Sequence, residues 1–292
     1  MGTNTVLVSV LDASDPGPPR LAWEGSRVTR LGAGVDASGV LRDDAIARTL
    51  AALGELAAEA RERGAGLVVG VGTSALRDAA NREVFVAEAR HRVDRFDVID
   101  GAREAELTFR GAFFGLDVAP GPVTVVDIGG GSTEIVRGEG GRVTSSVSVD
   151  VGSVRLTERH RIGAAAPTSA QLAAIRDDAA RAMREIPILP PLVMLAGTAT
   201  NVAAVALGRD LARGAPTPHG EIVATDRLRA AVAGLSRADR AGRARAVGVE
   251  AGREDVIVAG ASILGYVLDR SGASEVRISD GGVRFGLALS LL

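Results

Sequence analysis

The feature that most constrains this chain is a set of short β-rich runs joined by little more than glycine. Val123 to Val126 is an apolar, β-branched run, Gly129-Gly130-Gly131-Ser132 follows, and Glu134 to Arg137 reads as a returning strand. Gly138 to Gly141 supplies a second tight turn, and Arg142 to Val149 a third strand. The chain opens in the same manner: Gly2-Thr3-Asn4-Thr5 leads into the β-rich run Thr5 to Leu11. Two halves that both begin with strands around a glycine turn predict a duplicated α/β fold with a cleft between the halves. A length of 292 residues favours two domains. Asp117 to Pro122, with two prolines and a glycine, is the expected boundary, giving domains at 1–117 and 118–292.

Helical and extended segments fill in around those turns. Arg20 to Leu31 reads as a hairpin turning near Gly25-Ser26. Arg42 to Arg63 carries Ile46, Leu50, Leu53 and Leu56 at helical spacing and stops at Gly64. Leu67 to Val71 and Val98-Ile99 are short strands, Thr73-Ser74 is placed to cap a helix, and Val84 to Arg92 and Arg103 to Phe114 are helices. In the second half, Ser169 to Glu185, Thr225 to Leu235 and Asp255 to Leu268 are expected helices. Leu192 to Ala196 is a buried strand, Gly197 to Asn201 a glycine turn and Glu275 to Ile278 a last strand. Asp280-Gly281-Gly282 leads into a closing helix.

Composition narrows the chemistry. All 34 basic residues are arginine, and there is no lysine. A P-loop, a protein-kinase site and a Schiff-base enzyme each need a lysine, so those classes are excluded. There is no cysteine, which removes disulfides, thiol nucleophiles and cysteine-ligated metals. Only His91, His160 and His219 exist, too few for a typical zinc site. Catalysis therefore rests on carboxylates, hydroxyls, backbone amides and arginines. The net charge of −2 and the 3% aromatic content argue against a nucleic-acid partner. Met1 to Val10 has no basic leader and no run of eighteen apolar residues occurs, so a cytoplasmic protein without a membrane partner is expected.

The stretch Val-Val-Asp-Ile-Gly-Gly-Gly-Ser-Thr-Glu-Ile-Val at 125–136 resembles the signature of the exopolyphosphatase/guanosine-pentaphosphate phosphatase family. Further segments match in the same order: Gly2 to Thr5, Thr73 to Asn81, Val98 to Ala105 and Ser279 to Arg284. Gly197 to Asn201 resembles that family's third glycine turn. The resemblance implies two ribonuclease-H-like domains of the actin-like type with the active site in the interdomain cleft. It also implies removal of terminal phosphate from polyphosphate or guanosine pentaphosphate.

Site residues follow from the resemblance, and elementary chemistry agrees with it. The amides of Gly129, Gly130, Gly131 and Ser132 can converge on one anion, with the Ser132 and Thr133 hydroxyls as added donors. Gly2, Thr3, Asn4, Gly197 and Thr198 are the matching phosphate-binding turns. Asp127 and Glu134 bracket the central turn and are the expected ligands of magnesium, or of manganese in its place. Glu104, in Gly101-Ala102-Arg103-Glu104-Ala105, is the expected general base, and Arg77 the expected phosphate-binding arginine. Family members often dimerise, so a homodimer is the assembly the resemblance allows, though nothing in the sequence itself demonstrates it. They also carry an aspartate one residue ahead of the position that Met1 occupies; a truncated chain or a start codon placed too late is the expected reason for its absence here, and a true loss of that acid is the alternative. An actin-like ATP-dependent kinase, and a sensor that binds polyphosphate or an alarmone without turnover, are the alternative readings.

Overall fold

The computed structural model describes residues 1–117 and 121–292; residues 118–120, inside the expected domain boundary, lie outside the described residues. The first half runs β1 (Thr5–Asp12), β2 (Arg20–Val28), α1 (Val35–Ser38), α2 (Asp43–Glu62), β3 (Val69–Gly72), α3 (Ser74–Asp78), α4 (Arg82–Arg90), β4 (Arg95–Val98) and α5 (Gly101–Ala112). The second half opens with β5 (Val123–Ile128), β6 (Thr133–Glu139), β7 (Arg142–Val149), α6 (Ser153–Arg159) and α7 (Ser169–Met183). It continues through β8 (Leu192–Leu195), α8 (Ala196–Leu207), a short 3-10 turn at Leu211–Arg213, β9 (Ile222–Ala224), α9 (Thr225–Arg237) and α10 (Arg240–Arg245). The chain closes with α11 (Ile257–Ser271), β10 (Glu275–Ile278) and α12 (Val283–Ser290).

The second half is organised on a six-stranded sheet of order β7-β6-β5-β8-β10-β9. β5 is its centre, antiparallel to β6 and parallel to β8. All six of its residues are buried, as a strand covered on both faces requires. In the first half, β1 pairs antiparallel with β2, and β3 pairs parallel with β4. The hairpin turn falls between β1 and β2, over residues 13–19, and Gly25-Ser26 lies inside β2. Gly25 is needed there for another reason: a Cβ on it would come within 2.6 Å of the Trp23 ring and 2.8 Å of Leu56.

Each half has its own apolar core. Leu31, Leu50, Leu53, Phe85 and Phe96 belong to the first, and Ile128, Ile175, Met194, Val258 and Leu264 to the second. A third cluster sets Ala105, Phe109 and Ala112 of α5 against Val123, Val125, Val136 and Val193. By chain order α5 precedes the expected boundary at 117, but its apolar face is buried on the second sheet. α12 crosses it closely: a Cβ on Gly286 would lie 1.9 Å from the Leu107 carbonyl oxygen, and one on Gly111 2.0 Å from that of Gly282. This crossing brings the first turn of α5 to the floor of the cleft. Among the described residues, no helix is long and apolar enough to cross a membrane.

Candidate active site

The floor of the site follows from strand register. Asp127 on β5 stands directly opposite Glu134 on β6, so both carboxylates leave the same face of the sheet. Both residues are buried. Glu104 enters from α5, whose first turn is fixed by Asp100: the Asp100 carboxylate accepts from the Arg103 backbone N–H at 2.8 Å. Gly101 permits the approach, since a Cβ there would meet Ser148 of β7 at 2.9 Å. Burial, together with the Glu104 charge, pushes Asp127 up to about 7 and Glu134 well above the ordinary carboxylate range. The Ser148 hydroxyl, donating to Glu134 Oε1 at 2.7 Å, works in the opposite direction.

Only one arginine bonds to a member of this trio among the described residues. Arg77 Nη1 donates to Glu104 Oε2 at 2.5 Å and to the Ile99 carbonyl at 3.2 Å. Asp127 and Glu134 have no such partner among the described residues. A divalent cation fits here: two oxygen ligands from the protein with water and phosphate completing the shell is the arrangement magnesium or manganese accepts. No group of three or more His, Cys, Asp or Glu side chains among the described residues is placed to cage a metal. Arg77→Met is expected to cost about 3–5 kcal/mol, the penalty for stripping one partner from a buried ion pair. Urea unfolding without metal measures it, and an unchanged midpoint would show that Glu104 does not depend on Arg77.

The glycine turns face one another across the cleft. Gly129 N–H donates to the Ser132 carbonyl at 3.0 Å, and Gly2 N–H to the Thr5 carbonyl at 3.0 Å, so the two turns share a closure. A Cβ on Gly131 would sit 2.3 Å from Ser74 Oγ and 2.8 Å from Thr3 Oγ1, and one on Gly130 2.8 Å from Thr3 Cβ. Glycine is therefore required by close approach of the opposite wall. Gly2, Thr3, Asn4, Glu104, Asp127, Gly129, Gly130, Gly131, Ser132, Glu134, Gly197 and Thr198 all line one cavity of about 1270 Å³. Asn4 Oδ1 is buried there without a hydrogen-bond partner among the described residues.

Several expectations change in detail. The Thr133 hydroxyl donates to the Val151 carbonyl at 2.6 Å, so it holds β6 and is not a free donor for phosphate. The Thr198 hydroxyl donates to the Ile128 carbonyl at 3.0 Å and braces the central turn from behind. Gly197 to Asn201 is no turn: it lies within α8. Thr73 stands at the start of α3, but its side chain makes no capping bond.

Sequence reasoning missed Arg155 and Arg253. Arg155 Nε donates to the Gly131 carbonyl at 2.6 Å, and its other nitrogens reach Asp36 at 2.7 Å and Asp78 at 2.5 Å. It thereby ties the central turn to the first half. The signal was Val-Gly-Ser-Val-Arg at 151–155, just after β7, where Gly152 packs on the Gly130 backbone. Arg253 lies over Gly197, whose added Cβ would fall 2.2 Å from the guanidinium carbon. Its Nε donates to Glu250 at 2.7 Å, while Nη1 and Nη2 make no hydrogen bond to the described residues.

With this geometry in view, comparison with known proteins is decisive. Residues 10–292 match the Ppx/GppA phosphatase family. The chain belongs to that family. It is 36% identical over 311 aligned residues to exopolyphosphatase 2 of Mycobacterium tuberculosis, covering 99% of this chain and 96% of that one. The Ppx-GppA enzyme of Aquifex aeolicus superposes with a TM-score of 0.81 at 28% identity, covering 99% of this chain and 97% of that one. An exopolyphosphatase of Cytophaga hutchinsonii shares the fold, with a TM-score of 0.89 at 22% identity over 100% and 95% of the two chains. This Ppx/GppA chain thus has the two-domain, actin-like fold, and its class of reaction is phosphoanhydride hydrolysis.

Proposed function

We propose that this chain is an exopolyphosphatase that removes terminal phosphate from inorganic polyphosphate with the help of a divalent cation. The observation that carries the reading is the buried trio Glu104, Asp127 and Glu134 on the floor of a cleft walled by two facing glycine turns. Asp127 and Glu134 hold the cation, magnesium or manganese, which neutralises charge on the phosphate oxygens. The backbone amides of Gly130, Gly131 and Ser132 and of Thr3 and Asn4 orient the terminal phosphate, the Gly129 and Gly2 amides being used to close the two turns. Arg253, on the cleft wall with two nitrogens unbonded among the described residues, suits the next phosphate along the chain.

Glu104 acts as the base. Its carboxylate takes a proton from water as the water oxygen attacks the terminal phosphorus. The bridging oxygen then leaves with the shortened chain, so one water is consumed and one phosphate released. Arg77 fixes the direction of Glu104 through the 2.5 Å ion pair. A kinase of the same fold would need an acceptor for the phosphoryl group in place of water.

Phosphate release from long-chain polyphosphate, guanosine pentaphosphate and ATP, each with magnesium, with manganese and with a chelator, tests this directly. The expected result is release from polyphosphate that needs a divalent cation and is abolished by chelation. Release confined to guanosine pentaphosphate would move the substrate to the alarmone. Release from none of the three, with the chain folded, would replace the enzyme by a binding protein.

A further inference from the structure

A backbone amide that is to hold an anion must be aimed, and a peptide plane can be aimed by its other end. In a trans peptide the carbonyl of one residue and the N–H of the next point in opposite directions. Holding a carbonyl on one side of the Gly129–Ser132 turn therefore presents the following N–H on the other. The Gly129 carbonyl accepts from the Ser153 N–H at 2.9 Å and from the Ser153 hydroxyl at 3.1 Å. The Gly130 carbonyl accepts from the N–H groups of Val154 at 2.8 Å and Arg155 at 3.1 Å. The Gly131 carbonyl accepts from Arg155 Nε at 2.6 Å. Three successive carbonyls are thus gripped by three successive residues, Ser153 to Arg155. The amides across those same three planes belong to Gly130, Gly131 and Ser132, which all line the cleft. They donate to no other protein group among the described residues.

The first two planes are held by main-chain N–H groups, which almost any residue supplies. The third depends on a side chain, so there the identity of the residue decides the outcome. Arg155 is 11% exposed and is not among the residues that line the cavity. It reaches the turn from behind. Its Nη1 is taken by Asp36 at 2.7 Å and its Nη2 by Asp78 at 2.5 Å. The two carboxylates fix the plane of the guanidinium and so give Nε one direction. They also balance a positive charge that would otherwise draw phosphate to the wrong side of the turn. The opposite turn is backed differently: the Thr3 carbonyl accepts from the Gly32 N–H, and the Asn4 carbonyl from those of Thr29 and Arg30, each at 2.9 Å. Among the described residues no side chain does there what Arg155 does here.

We propose, on the reading that the Gly129–Ser132 turn receives the terminal phosphate, that Arg155 is a positioning residue for it: through the Gly131 carbonyl it aims the Ser132 N–H into the cleft. Without Nε the plane between Gly131 and Ser132 loses its anchor, and glycine on one side of it allows it to turn over. The carbonyl oxygen then faces the anion where the N–H stood. A cradle of three aimed amides becomes one of two amides and an opposing dipole.

Two substitutions separate this role from the bridge that Arg155 also makes to the other wall. Arg155→Met and Arg155→Gln both lose the ion pairs with Asp36 and Asp78, but only glutamine keeps a nitrogen donor near the place of Nε. The two variants are therefore expected to unfold at similar midpoints and to differ at the site. Hydrolysis of long-chain polyphosphate with magnesium is measured for the parent and both variants, together with the Ser132 amide resonance during titration with inorganic phosphate. In Arg155→Met the KM is expected to rise about tenfold or more, the loss of one hydrogen bond to a charged group, with kcat within about threefold of the parent. Arg155→Gln is expected to restore KM to within about threefold of the parent. Phosphate is expected to shift the Ser132 resonance in the parent and in Arg155→Gln but not in Arg155→Met. Equal KM values in the two variants, raised or not, would overturn the proposal, because the Nε bond would then make no difference. An equal shift in all three proteins would overturn it as well. The titration needs no turnover, so it applies whichever phosphoanhydride the enzyme prefers. No shift in the parent would take phosphate away from this turn altogether, overturning the proposed site and not only the part Arg155 plays in it.

Discussion

Replacing Glu104 by glutamine is expected to lower the turnover of polyphosphate by about 10²–10⁴, the range for loss of a positioned general base. Glutamine keeps the shape and can still accept from Arg77 but cannot take the proton of the attacking water. The substitution also removes one negative charge from beside Asp127 and Glu134, both of which are pushed toward their neutral forms in part by Glu104. The variant is therefore expected to unfold at a midpoint no lower than that of the parent. Slow turnover with undiminished stability separates a chemical role from a structural one. Turnover within about threefold of the parent, too small for a general base, would remove Glu104 from the mechanism.

Gly286→Ala, and independently Gly111→Ala, is expected to cause the largest loss of stability of any single methyl added to this chain. The new carbon would meet backbone, not a movable side-chain end: 1.9 Å from the Leu107 oxygen in one case and 2.0 Å from the Gly282 oxygen in the other. Overpacking costs about 1–3 kcal/mol where side chains can yield, and here α5 and α12 must separate, so the upper end or beyond applies. About 3 kcal/mol corresponds to a fall in Tm of about 6 °C or more. Activity is expected to fall as well, because the same movement withdraws Glu104 from the cleft floor. Thermal unfolding beside phosphate release measures both, and an unchanged Tm would mean that the two helices are not in fixed contact.

Much of this architecture was legible because glycine and period-two patterning act locally. Val123 to Val126, the first four residues of β5, and Glu275 to Ile278 could be placed from composition and flanking turns alone. That Asp127 and Glu134 bracket the central turn was also legible; their direct pairing across β5 and β6 is a matter of register that the structure supplies. Two glycines misled for a common reason. Gly25 and Gly197 looked like turn residues, but each is needed because something packs on it: the Trp23 ring in one case, the Arg253 guanidinium in the other. A sequence does not distinguish glycine used for a positive φ from glycine used for close approach.

Long-range contacts explain the remaining misses. Arg155 acts through Asp36 and Asp78, more than seventy residues away, and no local period announces it. The membership of α5 was hidden in the same way. Its helical pattern was plain, but which sheet receives Phe109 is decided by the second half of the chain.

That placement of α5 has a consequence for motion. Arg77 rides on α3 with the first half, whereas Glu104 rides on a helix anchored to the second. Any hinge movement that parts the two bodies must pull this ion pair open, leaving a carboxylate among like charges without its cation. The chain thereby ties the pairing of its base to the closure of the jaws: Glu104 has its arginine only when they are shut.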